Sequence, residues 1–276
     1  MNRGVITIAQ KHPLYGKYAY NLALSIKSAD ISQQVAVIAD EDGLRHLAPH
    51  ERMIFDEIIW TDVPKPLVNK FRLHELSPFE ETLFVDADMI FSPFANFNEF
   101  WFSMKDVQWT MANRGKDDLI KGISEWTTKE DIDETYGRIT QWYDLSSEWI
   151  YFKKNDLSYT IFVNAEIYYD ENSLKVREFA GDRPDEPYFN IALNSIPHEP
   201  HQVPYQPTYW QPAMKGFPGA MAIKKGWMAF SVGGNTIPQQ QQQVYDELLK
   251  NASFRMNMPS KKIAQKINQI SERKLI

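Results

Sequence analysis

The sequence predicts an α/β fold, a mostly parallel twisted sheet with helices on both faces. Three observations carry this. Short β-branched runs alternate with helical segments up to LFVDADMIF, as in a sheet built from strand and helix units. The runs GVITIA, QVAVIA, EIIW and LFV are largely apolar, as strands covered on both faces must be. At 276 residues, 43% of them hydrophobic and 13% aromatic, the chain can bury a large core.

Residues 4–9 form the first strand. A polar turn holding Gly16 follows, then an amphipathic helix carrying Tyr18, Leu22, Leu24 and Ile26 to near Ser28. Residues 34–39 repeat the strand, and an acidic turn, DEDG, leads into a short helical piece up to Ala48. Glu57 to Trp60 form a third strand. After VPKP, a helix over residues 67–76 sets Val68 and Phe71 at helical spacing and is stopped by Ser77 and Pro78. LFVDADMIF is then a fourth strand. The later chain is aromatic-rich (WIYFKKND, YTIFVNAEIYYD, YQPTYWQP) and reads as irregular strands and loops over the first sheet, a place for an acceptor pocket. The glutamine run at 239–243 starts a helix that continues through Val244, Leu248 and Leu249. The expected division is one domain over 1–249, with halves 1–110 and 111–249, and a basic helical tail over 250–276.

Composition narrows the chemistry. There is no cysteine, so disulfides and thiolate metal sites are excluded, and a metal would take carboxylate, imidazole, carbonyl or water ligands. That favours Mg²⁺ or Mn²⁺ over zinc. No stretch reaches the roughly 20 apolar residues of a membrane span, and the N-terminal apolar run is too short for a signal peptide, so a cytoplasmic protein without a membrane span is expected. The net charge of −6 is uneven: residues 250–276 hold seven Lys and Arg against one Glu, leaving −12 on the rest. Such a tail suits an anionic partner, nucleic acid included. The alternative is a basic amphipathic helix docked on an acidic body through Ile263, Ile267 and Ile270.

Three Asp-x-Asp triplets occur, Asp40/Asp42, Asp86/Asp88 and Asp131/Asp133. The third lies in the charged run TTKEDIDET and reads as a helix start. The first precedes Gly43 and reads as a strand-end loop. Only Asp86 and Asp88 have apolar runs on both sides. Carboxylates beside a buried strand need a positive partner, and a hard divalent cation bridging to a diphosphate would supply one.

The N-terminal strand and helix, Lys70 in VNKFRLHEL, and LFVDADMIF resemble the nucleotide-sugar half of GT-A glycosyltransferases. The likeness is to the retaining family that includes glycogenin and the bacterial galactosyltransferases, glycosyltransferase family 8, and it covers about the first 110 residues. The resemblance implies metal-dependent transfer of a sugar from a nucleoside diphosphate sugar, a UDP-sugar by expectation, to a hydroxyl acceptor. It implies Ala9 and Gln10 beside the base and ribose, Lys70 at the diphosphate, Asp86 at the ribose or ion, and Asp88 at the ion and both phosphates. Asp185 and Glu186, in DRPDEPYFNIAL, resemble the family's catalytic acidic position; their alternative is ordinary charge preference at a helix start. The family's Asn-Ser-Gly segment is absent from SSEWIYFKKND, where Glu148 and Trp149 stand. No histidine stands in MAFSVGGN, where the family's metal-binding His would fall; His198 or His201, in PHEPHQ, could substitute as third ligand, the alternative being simply a Pro-rich loop with two exposed histidines.

Three other readings accompany this one. A sugar-phosphate nucleotidyltransferase would carry a Gly-rich basic loop after the first strand, whereas AQKHPLYGKY has one glycine. A binding module could keep the nucleotide-sugar pocket without turnover. The acceptor could also be DNA, since small enzymes with a basic C-terminal segment resemble those by which bacteriophages glycosylate hydroxymethylated pyrimidines.

Overall fold

The computed structural model describes residues 2–63, 66–113, 126–137, 145–178, 182–201, 228–231 and 239–257. Strand β1 (Arg3–Ala9) is followed by helix α1 (Pro13–Ala29), whose start is capped by His12: its Nδ1 accepts from the Leu14 amide, and Pro13 suits the first turn. Strand β2 (Gln34–Ala39), the short helices α2 (Glu41–Leu44) and α3 (Pro49–Arg52), and strand β3 (Glu57–Trp60) follow in the expected order. Asp40 caps α2 through the Gly43 amide at 2.7 Å and also accepts from the Lys11 amide at 2.8 Å, an ordinary strand-end loop.

The helix expected over residues 67–76 is two helices, α4 (Pro66–Phe71) and α5 (Leu73–Leu76), which meet at Arg72. Phe71 and Leu73 are both buried in the same core, and residues two apart cannot share one face of a continuous helix. The break at Arg72 lets both turn inward. The expected fourth strand is also divided, into β4 (Glu81–Val85) and β5 (Met89–Phe91). Between them Asp86, Ala87 and Asp88 form a turn in which the Met89 amide donates to the Asp86 carbonyl at 3.2 Å.

Helix α6 (Phe97–Ser103), strand β6 (Trp109–Asn113), helix α7 (Lys129–Tyr136), strand β7 (Leu145–Lys153), and helices α8 (Asp156–Glu171) and α9 (Glu186–Asn194) follow. Strand β8 (Ala229–Ser231) and helix α10 (Gln239–Asn257) complete the described elements. Asp131 and Asp133 lie in α7: Thr128 caps it through the Asp131 amide, and Lys129 pairs with Asp133 one turn on, as a helix start requires.

The six-stranded sheet runs β3-β2-β1-β4-β7-β6. Strands β3, β2, β1 and β4 are parallel, β7 is antiparallel to both its neighbours, and β6 therefore points the same way as β4. Residues 4–9 and 82–86, expected in one sheet, are adjacent in it, with Val5 opposite Leu83. One face packs on α1 and α6 through Val5, Val37, Leu83, Trp149 and Phe100; the other packs on α4, α5, α8 and α9 through Ile6, Ile38, Phe84, Ile150 and Phe189. A second sheet pairs β5 with β8. Helix α10 lies on α1, where Asn21 donates to the Tyr245 hydroxyl at 2.9 Å and Leu248 and Ala252 are buried. The boundary expected between residues 249 and 250 therefore falls inside one helix, while Ile263, Ile267 and Ile270 lie outside the described residues.

Candidate active site

The parallel strands β1, β2, β3 and β4 end on the same edge of the sheet, where ligands of open α/β sheets bind. Asp86 follows the last residue of β4 on that edge. Its amide donates to the Glu148 carbonyl at 2.9 Å, which fastens the acid turn to β7.

Lys70, near the end of α4, occupies the centre. Its side chain is 6% exposed, and its Nζ stands 3.0 Å from Asp86 Oδ1 and 3.3 Å from Asp185 Oδ2. The Ser147 hydroxyl lies 3.4 Å from the same nitrogen, and the Phe84 ring lies beneath it. Burial alone would lower the lysine pKa, but Asp185 and Asp86 outweigh it and hold the ammonium charged, with a raised pKa. Asp86 behaves in the opposite sense. Burial first, then Asp88 and Asp185, push it up to about 6 against the pull of Lys70.

Asp185 and Glu186 open α9. Asp185 makes no side-chain cap hydrogen bond at this helix start and turns its buried carboxylate to Lys70. Glu186 is buried and accepts from the Ser147 amide at 3.4 Å. The segment before them is clamped: the Arg183 guanidinium lies 4.0 Å from the centre of the Tyr169 ring, and Tyr169 donates to Asp182 at 3.2 Å. Acids 99 residues apart in sequence, Asp86 and Asp185, thus meet at one alkyl ammonium.

Gln10 is buried at the end of β1. Asn69 donates to its Oε1 at 2.7 Å, and its Nε2 donates to the Val63 carbonyl at 3.3 Å. This amide chain connects the loop after β1 to the residue preceding Lys70. Ala9 lies fully buried beside it, packed on the Gly43 turn.

The structure does not bring His198 to the acid pair. Its Nε2 lies 3.0 Å from the Trp109 carbonyl. Trp109 is opposite Phe152, which is opposite Thr82, four residues before Asp86 in β4. At about 3.3 Å per strand residue that is a separation of about 13 Å along the sheet. His201 is on the same side, its carbonyl accepting from Thr110. Among the described residues, no three His, Asp or Glu side chains are already arranged around a metal position.

One residue at the centre of the site carried no role in the sequence reading. Glu148 lies among Asp88, Asp86 and Glu186; burial first, then these three acids, raise its pKa well above the ordinary carboxyl value. Its Oε2 is buried without a hydrogen-bond partner. The available signal was the polar run Ser146, Ser147, Glu148 inside an otherwise apolar strand, the same kind of interruption that marks Asp86 and Asp88.

No protein-family model matches the sequence, and no curated protein matches it. Solved structures share its fold. The bifunctional glycosyltransferase WbbM is 12% identical and superposes over 96% of this chain with a TM-score of 0.58; the chain spans about half, 51%, of WbbM. Mouse xyloside xylosyltransferase 1 is 11% identical over 86% of this chain and 99% of its own, with a TM-score of 0.51. The galactosyltransferase LgtC, in complex with donor and acceptor sugar analogues, is 12% identical over 93% of this chain and 98% of its own, also at 0.51. The chain has the GT-A fold.

Proposed function

We propose that this protein is a glycosyltransferase that moves a sugar from a nucleoside diphosphate sugar, a UDP-sugar in the first instance, to a hydroxyl acceptor. The observation that carries this reading is Lys70, held charged between Asp86 and Asp185 at the carboxyl edge of a GT-A sheet. A buried ammonium there can meet a diphosphate leaving group, and the acids on either side fix its position. Gln10, in the loop after β1, and Asn69, on α4, would border the nucleoside, and Asp185 and Glu186 would face the sugar carbon that changes partner.

The acid turn fits a divalent ion in its chemistry, since the donors that Asp86 and Asp88 offer are hard carboxylate oxygens. Asp86 and Asp88 would hold Mn²⁺ or Mg²⁺, which when bound would neutralise charge on the departing diphosphate. Lys70 provides the fixed charge at the same place. Asp185 and Glu186 present carboxylates to positive charge developing on the sugar, or accept the acceptor's proton.

Thermal unfolding with uridine, guanosine and thymidine diphosphate sugars, each with and without Mn²⁺, tests this reading, because binding to the native state raises the midpoint. Asp88→Asn should abolish the Mn²⁺-dependent shift, and Asp131→Asn, on α7, should leave it intact. Equal loss from both would show that the shift reports overall acidity.

A further inference from the structure

We propose that Glu148 is a specificity-determining residue that binds a hydroxyl of the donor's sugar. This rests on the glycosyltransferase reading and adds to it the contact that would distinguish a nucleotide sugar from the bare nucleotide.

The first support is a strand irregularity. Along β6 and β7 the register runs regularly from Trp109 opposite Phe152 to Met111 opposite Ile150, and then jumps, with Ala112 opposite Ser146. Ser147, Glu148 and Trp149 are left without partners on β6. A bulge of this kind bends a strand and re-aims its side chains. Here it releases Ser147 towards Lys70 and Glu186, while the Asp86 amide grips the Glu148 carbonyl from the other side. Trp149 still pairs with Val85 and packs in the core, so the distortion is anchored immediately after the glutamate.

The second support is the side chain itself. A buried polar atom in a native protein ordinarily has a partner. Glu148 Oε2 has none, although it stands at the carboxyl edge of the sheet beside Asp86. The surrounding acids restrict what the missing partner can be. A diphosphate oxygen would be repelled by Asp86, Asp88, Glu186 and Glu148 together. A neutral hydroxyl donor is not repelled, and a sugar attached to a diphosphate at Lys70 brings several. The position next to both Asp86 and Glu186 lies between the residues read as meeting the leaving group and those read as meeting the sugar.

The test is calorimetric titration of the full chain, with Mn²⁺ present, using each nucleoside diphosphate and its sugar conjugate in pairs: UDP with UDP-glucose and UDP-galactose, GDP with GDP-mannose. The wild-type protein identifies the pair to use. Glu148→Ala should weaken the sugar conjugate about tenfold, the scale of one hydrogen bond to a carboxyl group, and leave the free nucleotide within about twofold. Glu148→Gln, which keeps an acceptor oxygen, should retain most of the conjugate's affinity. Glu148→Asp, shorter by one methylene, should lose it, and it provides the comparison if the alanine variant does not fold. Equal weakening of nucleotide and conjugate, or loss of Mn²⁺ affinity without nucleotide, would overturn the inference by making Glu148 an ion or diphosphate residue. Unchanged affinities in all variants would overturn it as well. If the wild type binds no nucleoside diphosphate, the functional reading fails and the inference with it.

Discussion

Lys70 shows how much one charge can decide. Removing one member of a buried ion pair leaves the other uncompensated, at a cost of about 3–5 kcal/mol. Lys70→Met should therefore lower stability by about that amount in urea unfolding at pH 7. The sign of its pH dependence follows from Asp86: without the ammonium the folded carboxyls would titrate still higher, so the native variant takes up protons on acidification and the deficit shrinks towards pH 5. A deficit that grows on acidification would contradict this. His74 behaves conversely. It sits among Phe152, Tyr159 and Phe162, with Nε2 buried and unpartnered, and burial together with Lys154 lowers its pKa. The unfolded chain thus binds the proton more readily, and stability present above about pH 6.5 is lost as pH falls. His74→Leu should flatten that part of the urea midpoint profile between pH 7.5 and 5. Asp86 and Asp88 were legible in the sequence because apolar residues flank them on both sides, and Lys70 through the helix that precedes them. Glu148 was not assigned a role, since a bulge depends on the partner strand and leaves no periodic mark on its own.

At the level of elements, the sequence displayed each parallel strand but not where a strand changes sheets. Residues 82–91 look continuous in hydrophobicity, yet β4 and β5 pair with different partners, β1 and β7 for one and β8 for the other. The acids occupy the joint. Helix α4 likewise ends at Phe71 because two core residues, not helix propensity, decide the local path. The crossing of α1, α2 and the end of β1 is closer still. A Cβ on Gly43 would lie 2.0 Å from the Ala9 carbonyl oxygen, and one on Gly16 would lie 2.0 Å from the Gly43 carbonyl oxygen. Both obstacles are backbone, which cannot rotate aside, so these glycines allow three segments to touch beside Gln10. Gly43→Ala should cost about 3 kcal/mol or more by denaturant titration. A loss under about 1 kcal/mol, typical of a tolerated surface change, would show that the contact relaxes easily.

For the whole molecule, the expected halves are interleaved: β7 lies inside the sheet beside β4, and Asp185, at the start of α9, meets Lys70 of α4 on the same face. At the other end, α10 carries part of the basic segment against the body, with Arg255 donating to the Pro93 carbonyl at 2.6 Å and lying over the Phe94 ring. Removing residues 239–276 should lower the unfolding midpoint through the loss of buried Tyr245, Leu248 and Ala252. Labelled duplex DNA titrated at two ionic strengths should show no steep salt dependence with either the full chain or the chain lacking 258–276, because the rest of the protein is acidic. A steep slope that disappears with those residues would restore the nucleic-acid reading. The pairing of β5 with β8 also has a bearing on synthesis. Phe91 faces Ala229, and the Ser92 amide donates to the Met228 carbonyl, so the acid turn is braced by chain made long after it. Contacts so distant in sequence form slowly. A nascent chain stopped before residue 228 contains Asp86, Lys70 and Asp185 while the segment leaving the acid turn lacks its partner strand. The brace behind the acid turn is therefore among the last contacts that synthesis makes available, and a product truncated there would hold much of the six-stranded sheet without it.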